Sequence, residues 1–114
     1  MKITAMLVGV VSSLAFSACG PSGEGEADAN LQCAALISAA SELVRTAKAV
    51  NDPALTKLAL GSSMTYLNAY AIPKKLGEAE AFAEVKSLRA KLIDSRQPAE
   101  IIDRAKRCVD RTPR

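Results

Sequence analysis

Three proline-marked interruptions, at Asp52-Pro53, at Pro73 and at Ser95-Arg96-Gln97-Pro98, divide residues 29–114 into lengths that suit helices. The stretches between them are rich in Ala, Leu, Lys, Glu and Arg, keep Gly and Pro mostly at the junctions, and nowhere alternate as a half-buried strand does. An all-α domain follows, with four helices.

The first helix is expected over about Ala29 to Val50, capped by Asp28 or Asn30 and closed at Asn51-Asp52. At about 100° per residue, Cys33, Leu36, Ile37, Ala40, Leu43, Val44 and Ala47 share one face, and Ser38, Glu42, Arg45 and Thr46 the other. Asp52-Pro53 pairs an N-cap carboxylate with proline at the first helical position, where a missing N–H costs nothing. The second helix then runs to about Ala71, because Pro73 disfavours helical geometry at Ile72. A third spans Lys75 or Glu78 to Ser95, with Ala81, Phe82, Val85, Leu88, Leu92 and Ile93 inward. The fourth is short and turns Ile101, Ile102, Ala105, Cys108 and Val109 to the core.

Upstream lies a different kind of sequence. Met1-Lys2 precedes an apolar run from Ile3 to Phe16, then Ser17-Ala18-Cys19 and the helix-discouraging Gly20-Pro21. A charged start, a roughly 14-residue apolar centre and small residues before a cut make a secretory signal, and the run falls short of the about 20 residues a spanning helix needs. The segment resembles a bacterial lipoprotein signal with a lipobox, although Phe16 stands where Leu is usual. The resemblance implies removal of residues 1–18, acylation of Cys19, and, with Gly20 rather than Asp after it, sorting to the outer membrane of a diderm cell. Ordinary signal cleavage and a soluble periplasmic or secreted product is the alternative. Gly20 to Ala27 has no large apolar side chain and reads as a flexible tether, so the chain divides into a signal at 1–18, a lipidated cysteine and tether at 19–28, and a helical domain at 29–114.

Of the three cysteines, acylation would claim Cys19 and leave Cys33 and Cys108 for one disulfide in an oxidising compartment. Both fall in apolar arcs, near the start of the first helix and the end of the fourth. An up-and-down bundle brings those ends together only if the number of helices is even. With three helices they would lie at opposite poles, beyond a disulfide's Cα separation of about 6 Å. The expected fold is therefore a small up-and-down four-helix bundle closed by one disulfide. Such a loop stabilises by about 4 kcal/mol in the chain-entropy model, a large share of the about 5 kcal/mol expected for so small a domain.

Little in the sequence points to covalent chemistry. Histidine is absent, which removes the commonest general base, metal ligand and triad base. There is no Gly-rich phosphate loop, no paired-cysteine redox spacing and no calcium-loop pattern. The expectation is a non-enzyme with no catalytic residue, no cofactor and no metal. From Ala29 onward fourteen Lys or Arg face nine Asp or Glu, a net +5, while Glu24, Glu26 and Asp28 place three negative charges just before it. The few aromatics do not interleave with basic residues, which argues against nucleic acid.

Two surfaces stand out. The second helix carries two apolar stripes, one with Leu55, Leu58, Ala59, Tyr66, Ala69 and Tyr70, the other with Leu60, Met64, Leu67 and Ala71. A helix wedged between two neighbours would look like this; so would one that offers Tyr66 and Tyr70 to a partner with their hydroxyls wet. The fourth helix sets Arg104, Arg107 and Arg111 on one ridge, suited to anionic headgroups or an acidic protein, or simply to the helix C-terminus and nearby Glu100, Asp103 and Asp110. Arg89 falls within the inner face of the third helix, where its stem can cover the core edge while the guanidinium reaches water or a carboxylate; a buried arginine that binds an anion is the less favoured alternative. The expected role is a structural or protein-interaction module held at the membrane by its lipid, with an envelope protein as partner and no oligomeric state specified. The alternative is a periplasmic binder of small amphiphiles or unfolded chains, lodged between the second and third helices among Met64, Leu67, Tyr66, Tyr70 and Phe82.

Overall fold

The computed structural model describes the backbone of residues 22–113 and the side chains of residues 29–113. The expected signal peptide, Cys19 and the start of the tether lie outside the described residues. Four helices, α1 (Ser22–Arg45), α2 (Pro53–Lys74), α3 (Glu78–Ser95) and α4 (Pro98–Asp110), make an all-α bundle closed by a disulfide between Cys33 and Cys108, whose Cα atoms are 5.6 Å apart. The backbone of α1 is already helical at Ser22, so neither Asp28 nor Asn30 caps it. Its side chains enter the core with Leu31, partly buried, and Cys33.

The bundle is organised around α1. The other three helices each lie chiefly against it and touch one another only lightly. Accordingly α1 is buried on nearly every side between Cys33 and Ala40, including Ala34, Ala35 and Ala39, outside the single expected face. Alanine makes this possible: with only a methyl to accommodate, neighbouring backbones can approach α1 from three directions. Ile37 and Ile101, both essentially without exposed surface, meet the disulfide in the same core cluster.

α1 ends at Arg45, five residues short of the expected Val50. Ala47 adopts a left-handed conformation (φ 61°), its N–H bonds the Val44 carbonyl at 3.1 Å, and the Lys48 N–H reaches back to Leu43 at 2.8 Å. This is a Schellman closure, and it turns Ala47 out to solvent rather than inward. α2 closes in the same way. Asp52 starts it as expected, its carboxylate accepting from the Ala54 and Leu55 N–H groups at 3.0 and 3.3 Å. Pro73 does not stop it at Ala71; the helix runs to Lys74, where Lys75 turns left-handed (φ 58°) and the N–H groups of Lys75 and Leu76 bond the carbonyls of Ile72 and Ala71. Pro73 sits within a turn whose closure uses the N–H groups that follow it. α3 starts at Glu78, with the Glu80 carboxylate accepting from the Gly77 N–H at 3.2 Å.

Candidate binding groove

The end of α4 is the most heavily fastened part of the molecule. As the helix stops, the Thr112 N–H bonds Val109 instead of Cys108. The Cys108 carbonyl is satisfied by hydroxyls: Tyr66 donates to it at 2.6 Å and Thr112 at 2.9 Å. The Thr112 hydroxyl also pairs with that of Ser62 at 2.9 Å, so α2 caps α4 from the side. Ser62 and Thr112 are both buried, and each has a partner, as buried hydroxyls require.

This arrangement corrects the expectation for the tyrosines. Tyr66 and Tyr70 are buried, with 7% and 2% of their surface exposed, and do not form a partner surface. Tyr66 spends its hydroxyl inside the protein, and the ammonium of Lys74 stands 5.0 Å from the centre of the Tyr70 ring. Whether the Tyr66 hydroxyl is wet or dry depends on the Cys108 carbonyl on another helix, which no local sequence pattern reveals.

The arginine ridge does face outward. Arg104, Arg107 and Arg111 line a shallow cleft of about 560 Å³ between residues 29–36 of α1 and α4, with the disulfide at its floor. Two of the three are engaged within their own helix. Arg107 bonds Asp103 at 2.5 Å, and Arg104 lies 3.5 Å from Glu100, whose carboxyl is held below its ordinary range, first by a hydrogen bond from Arg96. The Arg111 guanidinium lies 4.0 and 3.9 Å from the Cys33 and Cys108 sulfurs. The ridge and the tyrosines do not form one surface.

The open region lies on the other side of α1, where α2 and α3 part. Between them runs a groove of about 330 Å³ with mostly apolar walls. Ile37, Ala59, Leu67 and Val85 are buried at its base, while Leu60, Met64 and Phe82 remain 77%, 39% and 49% exposed along it. Phe82 was expected to face inward; because α3 meets α2 only lightly, its ring stays at the groove wall, with the Lys86 ammonium 5.6 Å from its centre. The two stripes of α2 are likewise mixed: Leu67 and Ala71 are buried with the tyrosines, and Leu60 and Met64 are left to the groove.

Polar groups mark one side of this groove. Ser38 and Ser41 of α1 and Thr56 and Ser63 of α2 contribute to its lining. Arg89, one turn beyond Val85, is half-buried and donates from Nη1 to the Ser38 hydroxyl at 2.9 Å. Among the described residues no carboxylate lies within ion-pair distance of Arg89. Glu42 feels its charge, but that carboxyl is held low mainly by a hydrogen bond from Arg45, at 2.5 Å.

Among the described residues no cluster of three or more Cys, Asp or Glu side chains is placed to hold a metal ion, and no helix is long and apolar enough to cross a membrane. No protein-family model, curated protein or solved structure matches the chain. The class that the fold defines is thus a disulfide-closed four-helix bundle built around one alanine-rich helix.

Proposed function

We propose that the chain is a small exported envelope lipoprotein, carried by an acyl group on Cys19 at the periplasmic face of the outer membrane, that acts by binding and not by covalent chemistry. The lipobox-like Phe16-Ser17-Ala18-Cys19 supports the anchor, and the Cys33–Cys108 disulfide suits an oxidising space. The observation that carries the binding half is the groove between α2 and α3, where Leu60, Met64 and Phe82 stay exposed on one concave surface. Isolated apolar side chains on a surface are ordinary; three gathered along a groove mark a contact site.

An envelope protein is the partner class the sequence favours, and the groove is the surface it would meet. The size and shape of the groove favour a second reading, a small amphiphile. Its volume falls at the lower end of the about 300–1,000 Å³ range of small-molecule sites. Two measurements test the whole. The intact mass of the membrane-bound product is expected to begin at Cys19 and to carry added acyl mass; a product without that mass would remove the anchor. A photo-crosslinking residue in place of Leu60 gives adducts in the intact envelope; their absence would remove the contact surface.

A further inference from the structure

The second reading leaves open what kind of head the amphiphile carries, and Arg89 answers that. We infer that the α2–α3 groove binds a single-chain fatty acid, its tail along Leu60, Met64 and Phe82 and its carboxylate on the Arg89 guanidinium. The inference rests on the amphiphile reading of the groove and specifies its ligand.

The argument begins with spacing. Phe82, Val85 and Arg89 occur at intervals of three and four residues, so they form one stripe along α3, apolar for two positions and cationic at the third. Phe82 and Val85 line the groove, and Ser38, which Arg89 bonds, lines it from α1. A guanidinium therefore stands beside an apolar channel. It has five N–H donors, and a neutral hydroxyl takes one of them. A half-buried cation in that state is complementary to an anion that also brings a hydrocarbon tail, since a carboxylate can accept two parallel N–H bonds from arginine. A neutral or cationic amphiphile would leave the guanidinium unmatched or repel it. The groove's volume suits one acyl chain and would be crowded by the two of a phospholipid.

The ridge on α4 makes a useful contrast. There Arg104 and Arg107 already meet carboxylates on their own helix, whereas Arg89 does not. Arg111 on that ridge meets no carboxylate either, but it lies over the disulfide sulfurs in a cleft lined by charged side chains, whereas Arg89 stands beside apolar walls.

The test uses residues 19–114, the product expected after removal of the signal, carrying Cys19→Ser; this changes no described residue, leaves neither acyl group nor apolar leader, and allows purification without detergent. Isothermal titration with dodecanoate, below its micelle concentration, is expected to give one site, and dodecyltrimethylammonium, with the same tail and the opposite charge, none. Arg89→Gln weakens dodecanoate at least about tenfold, the loss expected for a charge-assisted pair. Arg89→Lys keeps a cation at the same position while giving up the forked donors, and recovers much of the affinity that Arg89→Gln loses, which separates recognition of the carboxylate from a structural role. Unchanged circular dichroism and melting confirm that each variant folds. Equal dodecanoate affinity in Arg89→Gln, with loss in Leu60→Gln, would overturn the head-group assignment and leave the groove as an amphiphile site. Binding of neither probe would overturn the amphiphile reading itself.

Discussion

The two sides of α1 are built in opposite ways. Against α4 the structure is closed: a disulfide joins the helices, and the Tyr66 and Thr112 hydroxyls satisfy the buried Cys108 carbonyl. Against the parting of α2 and α3 it is open, and Leu60, Met64 and Phe82 keep much of their surface in solvent. A domain this small cannot bury every apolar side chain. It concentrates its fastening on one seam, and the other retains the concave apolar surface that a ligand can use. Stability and binding thus fall on different faces of one helix.

The largest effect expected from breaking this contrast comes from the closed seam. Replacing Cys33 and Cys108 together by serine should lower stability by about 4 kcal/mol, read as the shift in a urea midpoint and enough to bring the domain within about 1 kcal/mol of unfolding. Next, Ile101→Ala should cost about 3 kcal/mol, because Ile101 has no exposed surface and leaves a cavity. Its counterpart on the open seam, Leu60→Ala, should change stability by less than about 0.5 kcal/mol. Comparable losses at both positions would erase the distinction. Gly61 lies mid-helix in α2 beside the groove, and a methyl group there meets nothing within 4 Å. Gly61→Ala should therefore stabilise by about 1 kcal/mol, a rise in melting temperature with the closed seam unaltered.

The smallest effect concerns a clasp between α2 and α4. A hydrogen bond from Lys106, at 3.0 Å, is the main cause that holds the Asp52 carboxyl below its ordinary 3.8, aided by the capped N–H groups of Leu55 and Ala54. A carboxyl whose folded value is depressed contributes stability above its unfolded value and loses that contribution as pH falls through the folded one. Asp52→Asn should thus melt a few degrees below the parent near neutrality, and the difference should shrink as pH drops below 3.8. A difference independent of pH would mean that the clasp contributes nothing.

Much of this architecture was legible in the residues. Asp52-Pro53 and Gln97-Pro98 mark the starts of α2 and α4, and cysteines in the arcs of the first and last helices imply an even number of helices. The ends of α1 and α2 were hidden, because both closures use a left-handed residue that is neither Gly nor Asn, Ala47 and Lys75. The central position of α1 was hidden as well. Alanine adds little to a periodic pattern, so Ala34, Ala35 and Ala39 gave no sign that α1 has three neighbours. A groove does part α2 and α3 with Met64, Leu67 and Phe82 along it, while Tyr66 and Tyr70 are buried and do not line it. Choosing between the stripes of α2 depends on the Cys108 carbonyl, a tertiary contact 42 residues away from Tyr66.

Amide hydrogen exchange on residues 19–114 carrying Cys19→Ser, with and without dodecanoate, tests the contrast most directly. Without ligand, exchange is expected to be slowest in 33–43 of α1 and 101–109 of α4 and faster in α2 and α3, and dodecanoate is expected to protect only the groove walls, at 37–41, 56–67 and 82–89. Protection centred on α4, or equal protection of all four helices, would contradict it.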